Sequence, residues 1–310
     1  MKLSGSEVGL AITQAMAFSI YLQFGIIQSV QVNNNLVAVE RIVQYDDLIQ
    51  EPKIVPAVTI PRGWPQRGEI LFENVILQYH EDSAPILNDL SFSVGGGEKI
   101  GIVGRTGAGK TSIVSTIMRL GIVTGTIRID SYDTQYIPLD ILRSRIGVIS
   151  QDPVLFSGTL RYNLDPLQEF DDNVLYKALE KVELGKTSKE FKNLDYHILE
   201  EGSNLSLGQK QLICLARTII REHRIILLDE CSSNVDADTD NLIQNIIRKD
   251  FDQCTVLTIT HRLNTIMSCD RIMVIDLGKI IQFDKPNVLL QDAEGKFYEM
   301  VNKKNEMQEI

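Results

Sequence analysis

Gly104-Arg105-Thr106-Gly107-Ala108-Gly109-Lys110-Thr111 decides how this chain is read. It fits the pattern G-x-x-x-x-G-K-[ST]. Lys99-Ile100-Gly101-Ile102-Val103 precedes it and suits a buried strand, and Ser112 to Met118 follows it in a run that continues as a helix. Strand, glycine loop and helix are the context in which this pattern holds phosphate. Glycines let successive backbone N–H groups curl around phosphate oxygens. The helix N-terminus adds partial positive charge. Lys110 is expected to reach the β- and γ-phosphates of a bound nucleotide, with the Thr111 hydroxyl on Mg²⁺ and Ser112 completing the binding set. The plain alternative is a Gly-rich turn that binds nothing, and the flanking strand and helix weigh against it.

Composition bounds the rest. A chain of 310 residues holds one large domain or two smaller ones, and 44% hydrophobic residues supply a sizeable core. The net charge is −10 and no Lys/Arg cluster marks a nucleic-acid face, so no nucleic-acid partner is expected. The four cysteines, Cys214, Cys231, Cys254 and Cys269, are scattered, which fits reduced thiols rather than a disulfide framework or a zinc site.

Upstream, Val8 to Val39 contains no charged residue, and Val8 to Val30 is long and apolar enough to cross a lipid bilayer as a helix. Gln14, Gln23 and Gln28 would sit poorly in lipid and suit a face turned to other helices or a water-filled path. Ser4-Gly5-Ser6-Glu7 precedes the run and no small-residue cleavage site closes it, unlike a signal peptide. A helix of a soluble protein is the alternative. Asn33 to Gln50 reads as a polar amphipathic helix leaving the membrane. Residues 1–50 therefore read as one membrane-type helix and a polar helix that leaves the membrane. Residues 51–68, with Pro52, Pro56, Pro61 and Pro65, form a linker that cannot be one helix. Residues 69–310 would be the nucleotide-binding domain. In it, Glu69 to Val94 reads as antiparallel strands, and Thr126–Ile129 and Ile146–Ile149 as further strands. Asp152 to about Leu199 is mainly helical, and strand and helix alternate from Ile219 to Ile281.

Ile225-Ile226-Leu227-Leu228 is a strand-like run followed at once by Asp229-Glu230. Carboxylates at the C-terminal end of a parallel strand point into the crevice where α/β folds bind ligands. Asp229 suits the Mg²⁺ shell, and Glu230 suits the base or positioner of an attacking water. Two solvated acids closing a strand would be the better reading without the phosphate loop upstream.

Leu205-Ser206-Leu207-Gly208-Gln209-Lys210-Gln211 opens a helix over Gln211 to Ile220. Ser206 is a good N-cap type and Gly208 allows close approach of backbone to an anion. The segment resembles the Leu-Ser-x-Gly-Gln signature of ATP-binding-cassette (ABC) proteins. Paired with the phosphate loop, that resemblance is specific. It implies an ABC-type α/β P-loop NTPase fold: a mainly parallel core sheet, an antiparallel β-subdomain, and a helical subdomain carrying the signature, here preceded by one membrane-type helix. It implies that Gln151 is the loop glutamine contacting Mg²⁺ and the membrane domain, and that Ser233-Asn234-Val235-Asp236 resembles the D-loop. His261 would be the switch histidine on the γ-phosphate, and Tyr79 the aromatic stacked on adenine. Each has an ordinary reading taken alone, and Tyr132 competes with Tyr79.

Gly101 to Lys110, Gln151 to Pro166, Glu201 to Arg217 and Cys254 to Ile266 are most similar to the second nucleotide domain of the C subfamily, the multidrug resistance-associated proteins. Gly9-Leu10-Ala11 and Val39-Glu40-Arg41 resemble the end of that subfamily's last transmembrane helix and its exit. Cys231 stands where the family usually has alanine, with little effect expected from so small a residue. The resemblance implies an ATPase coupled to transport, an integral membrane location with the nucleotide domain on the cytoplasmic side, and the C-terminal end of a longer protein or a truncated gene model. It also implies that Ser206, Gly208 and Gln209 complete the nucleotide site of a second nucleotide-binding domain. Two rivals stand beside this. A soluble ABC ATPase predicts a basic face, a coiled-coil insertion or a second cassette. A non-catalytic ATP-binding domain predicts loss of Glu230 or His261.

Overall fold

Isoleucine, leucine and valine dominate Ile225–Asp229 and Thr255–Ile259, and side chains alternate across the sheet these runs build. Ile225 and Leu227 join one core while Ile226 and Leu228 join another. A strand covered on both faces needs such an uninterrupted apolar run. The computed structural model describes residues 4–308 except 49, 52–53, 55–58, 188 and 232–234; side chains 186, 187, 189, 263 and 303–308 are likewise outside the described set. Two compact units result, Met1–Lys53 and Ile54–Ile310.

The first unit is one α-helix, Gly5–Asp46. Ser4 caps it in a capping box with Glu7. At 1.5 Å per residue it is about 63 Å long. Among the described residues it is the one helix long and apolar enough to cross a membrane, and none of its residues is buried. The apolar run and the polar run from Asn33, read from the sequence as a membrane helix and an exit helix, are one continuous helix. Asparagine is only a modest helix former, but with no proline in the run nothing interrupts the hydrogen-bond ladder.

The strands of the second unit are β1 (Ile70–Gln78), β2 (Leu87–Val94), β3 (Lys99–Gly104), β4 (Ile122–Ile129), β5 (Tyr132–Asp133), β6 (Ile146–Ile149), β7 (Gly158–Thr159), β8 (His197–Ile198), β9 (Ile225–Asp229), β10 (Thr255–Ile259), β11 (Arg271–Asp276) and β12 (Lys279–Asp284). The central sheet has six strands in the order β12-β11-β3-β10-β9-β6. All pairings among β11, β3, β10, β9 and β6 are parallel, and β12 closes one edge antiparallel. A four-stranded antiparallel sheet, β2-β1-β4-β5, forms the second layer. The mainly parallel core and antiparallel β-subdomain are as expected from the sequence.

The core between the two sheets holds Phe72 stacked on Phe92 at 4.4 Å, with Ile113 and Ile117 of the helix Lys110–Ile117. The opposite face packs on helices Asp172–Lys181, Leu207–Ile220 and Ala237–Asp250 through Leu175, Ile213 and Ile243. Truncating a fully buried leucine such as Leu228 to alanine in this layer costs about 2–5 kcal/mol. Trp64 is buried, and its indole N–H donates to Ile129 O at 3.1 Å. The Asp130 carboxylate accepts from the backbone N–H groups of Gln66, Arg67 and Glu69. The chain just before β1 is therefore fastened to the antiparallel sheet.

Candidate nucleotide site

Parallel register brings four separate segments to one end of the sheet. Ile259 of β10 lies opposite Ile102 of β3 and Asp229 of β9, and Ile149 of β6 lies opposite Leu228. The phosphate loop leaves the C-terminal end of β3, Asp229-Glu230 ends β9, His261 follows β10 and Gln151 follows β6. Residues more than a hundred positions apart thus share one rim.

The loop passes into the helix Lys110–Ile117 through Gly109, which has φ +100° and no side-chain cap. The first-turn N–H groups of that helix are left to a ligand. A Cβ on Gly109 would meet Leu87 Cδ2 at 2.8 Å, and one on Gly104 would meet Ile275 O at 2.3 Å, so both positions demand glycine. Gly107, at φ +80°, has nothing within 4 Å of a Cβ and turns an open backbone outward between Thr106 and Ala108. Lys110 is buried, and its ammonium donates to Gly104 O at 3.1 Å and Arg105 O at 3.0 Å. Burial pulls its pKa down, and the Glu230 and Asp229 carboxylates pull it back up. A buried ammonium at a glycine-lined turn can meet a phosphate with little water to displace.

Burial raises the Asp229 pKa, the nearby Thr111 hydroxyl lowers it, Glu230 raises it and Lys110 lowers it. A hydroxyl and a carboxylate on facing elements are the hard oxygen donors that a small divalent cation takes when phosphate supplies others. Glu230 has φ +46°, and its N–H donates to Ile259 O at 2.9 Å, which swings its side chain out of the strand direction. Its carboxylate lies 3.0 Å from His261 Nε2, which carries the proton of that contact. The strand-end acid and the histidine, 31 positions apart in sequence, are one hydrogen-bonded pair. Cys231 beside them is buried, and burial pushes its thiol up to about 12, so it stays protonated and acts as a small apolar filler.

Tyr79 follows β1 with its hydroxyl 3.5 Å from Ser112 Oγ, beside the loop's helix, whereas Tyr132 packs against the core. Only Tyr79 of the two stands exposed next to the loop. Gln151 is exposed, and its backbone carbonyl accepts from Gln211 Nε2 at 2.9 Å. Ser206 caps the helix Leu207–Ile220, whose start lies four residues earlier than the sequence reading placed it. Its hydroxyl accepts from Gln209 N at 3.2 Å and the Gln209 amide oxygen accepts from Ser206 N at 2.9 Å. A Cβ on Gly208 would meet Thr239 Cγ2 at 2.9 Å, so glycine lets this helix lie against the next one. Of the D-loop expectation, 233–234 lie outside the described residues. Asp236 caps the helix Ala237–Asp250 by accepting from Thr239 N at 2.9 Å.

Three residues that sequence reasoning passed over hold this rim. Gln211, 2% exposed, donates to Ser150 O and Gln151 O and ties the signature helix to the Gln151 loop. Arg262 pairs with Asp240 and donates to Val235 O at 3.3 Å, joining the His261 segment to the capped helix. Gly278 donates its N–H to Ala108 O at 3.0 Å and accepts from Asn88 N at 2.9 Å, bracing the phosphate loop from the β11–β12 turn. A lone glutamine on an otherwise apolar helix face was the one available signal, at Gln211.

Residues 87–233 match the family described as ABC transporter. This chain carries an ABC transporter domain. It is 46% identical over 300 residues to mouse ATP-binding cassette sub-family C member 4, covering 96% of this chain and 23% of that protein. It is 46% identical over 301 residues to human sub-family C member 3, covering 96% of this chain and 20% of that protein. The chain thus spans about a fifth to a quarter of the curated relatives it matches. A bacterial Atm1-family ABC exporter solved with ATP bound superposes with a TM-score of 0.77 at 28% identity, over 88% of this chain and 48% of that one. The ABC-type fold and the C-subfamily resemblance both stand.

Proposed function

We propose that this chain binds and hydrolyses ATP and couples hydrolysis to export across a membrane, as part of a multidrug resistance-associated-type transporter. One observation carries the reading: Lys110, the Thr111–Asp229 pair and the Glu230–His261 pair meet at the C-terminal ends of β3, β9 and β10. In this reading the glycine loop and Lys110 hold the phosphates, and Tyr79 stacks on the base. Thr111, Asp229 and Gln151 hold Mg²⁺, which would supply charge neutralisation on the phosphate oxygens. Glu230 takes a proton from water as its oxygen bonds to the γ-phosphorus and the bond to ADP breaks. Lys110 and the His261 N–H sit where negative charge spreads over the transferring group. The matched fold and the C-subfamily relatives support a transporter over a soluble ABC ATPase.

The helix Gly5–Asp46 is about twice as long as a bilayer core is thick. Its apolar part, Val8 to Val30, would lie in lipid against other transmembrane helices, and the stretch with Glu40, Arg41 and Asp46 would stand in water on the cytoplasmic side. Residues 1–50, 51–68 and 69–310 then serve as membrane helix and exit, linker and nucleotide domain. Ser206, Gly208 and Gln209 would act on the nucleotide of a second domain. ATP turnover per molecule should then rise with protein concentration across a hundred-fold range in detergent. A constant rate would contradict the shared site.

A further inference from the structure

At the opposite end of the sheet lies a cleft of about 390 Å³ that the nucleotide reading leaves unused. Its floor is set by the residues just before three parallel strands: Arg145 before β6, Arg224 before β9 and Cys254 before β10. Trp64 and Pro65 form a wall. Four cations line it, Arg145, Lys181, Arg221 and Arg224, against two acids, Glu222 and Asp250. The cleft is therefore net positive by two (four minus two) in a chain of net charge −10.

Lys181 is matched by Asp250 at 2.8 Å. The arginines are not so matched. Arg221 reaches Glu169 only at 3.9 Å, Arg145 donates to the Arg62 carbonyl at 3.0 Å, and Arg224 is exposed. The arginines also act on one another's neighbourhood. His223 has its pKa lowered first by burial, against a contact to Ser144 O that raises it, and Arg221 and Arg145 lower it further. Positive potential thus converges on the cleft, where low-dielectric walls focus it.

We propose that this cleft binds a free, multiply charged oxyanion of the phosphate class, held by Arg145, Arg221 and Arg224. Planar guanidinium groups meet phosphate oxygens bidentately, and a few hundred cubic ångströms is room for a small molecule rather than a folded surface. Because Arg145 grips the carbonyl of Arg62, a bound anion would also steady the segment carrying Trp64 and Pro65.

The test is calorimetric titration of tripolyphosphate into the full chain in detergent, on a Glu230→Gln background already saturated with ATP. ATP saturation is measured first, so failure of the nucleotide reading registers as a separate result. One tripolyphosphate per chain is expected. Its affinity should fall at least ten-fold in Arg221→Ala/Arg224→Ala, and several-fold in Arg224→Gln, which changes only an exposed side chain. ATP affinity should stay unchanged in both. In parallel, the His223 ring titration followed by NMR should move to higher pH when the anion is bound. No tripolyphosphate binding, equal binding in both arginine variants, or an unmoved His223 titration would overturn the assignment.

Discussion

Two helices in this molecule begin at a glycine-bearing motif, and they use their free N–H groups in opposite ways. The helix Lys110–Ile117 starts at Gly109 with no side chain capping it, and each loop glycine, Gly104, Gly107 and Gly109, is marked by a close contact or a positive φ. The helix Leu207–Ile220 starts at Ser206 with a complete capping box, so two of its backbone donors are already satisfied by Ser206 and Gln209. The first end gathers Lys110, Asp229, Glu230 and His261 around it. The second keeps its capping contacts within its own turn, leaving the Ser206 hydroxyl proton to donate elsewhere. In the proposed function, the uncapped end would receive an anion from its own neighbourhood, and the capped end would meet a nucleotide carried by another domain.

The largest expected effect lies at the first end. Glu230→Gln keeps shape but removes the base, so ATP turnover should fall by about 10²-fold or more while ATP still binds. Full turnover in this variant, measured by phosphate release, would move the base elsewhere. Lys110→Ala removes a charge-assisted phosphate contact of about 1.5–3 kcal/mol, and titration should show ATP affinity at least ten-fold weaker. Unchanged affinity would break the comparison at its first term.

A smaller effect sharpens it through stability. Burial raises the Asp229 pKa above its unfolded value, so the folded state binds the proton more readily than the unfolded one. Stability is then lost as pH rises through the interval between those two values, and at neutral pH the ionised carboxylate costs the fold. Asp229→Asn should make the protein more resistant to urea at pH 7, by about 0.5–2 kcal/mol, the usual size of such function–stability exchanges. The gain should shrink toward acid pH, while Mg²⁺-dependent turnover falls. A loss of stability at pH 7 would show that the carboxylate holds the fold rather than a ligand.

Much of this site is legible in the sequence. Lys110 sits in a loop-to-helix pattern, Asp229 and Glu230 close a strand-like run, and the uninterrupted apolar stretch Ile225–Leu228 marks a doubly covered strand. What stayed hidden is long-range support. Gly278 braces Ala108 across 170 positions, and its need for glycine comes from Ile86 O at 2.1 Å from a would-be Cβ, a contact no local pattern encodes. Arg262 and Gln211 act through partners on other elements. The sequence marks the change from an apolar to a polar stretch near Asn33, but not that one helix runs through it, because a change of solvent along a helix need not interrupt its backbone. The proline-bearing stretch also concealed Trp64, whose burial depends on a sheet that forms only later in the chain.

The contrast between the two helix ends is tested most directly by mixing two disabled chains. Lys110→Ala chains keep an intact signature but lack a working phosphate loop. Ser206→Arg chains keep the loop but present a blocked signature. Each alone should hydrolyse ATP at background level. Mixed at equal and high concentration in detergent, they can assemble one site from the loop of one chain and the signature of the other, so turnover should return to about a quarter of wild type, the share set by random pairing and one working site in two. Absence of any recovery, with both chains folded, or full activity of Ser206→Arg chains alone, would contradict the division of labour between the two ends.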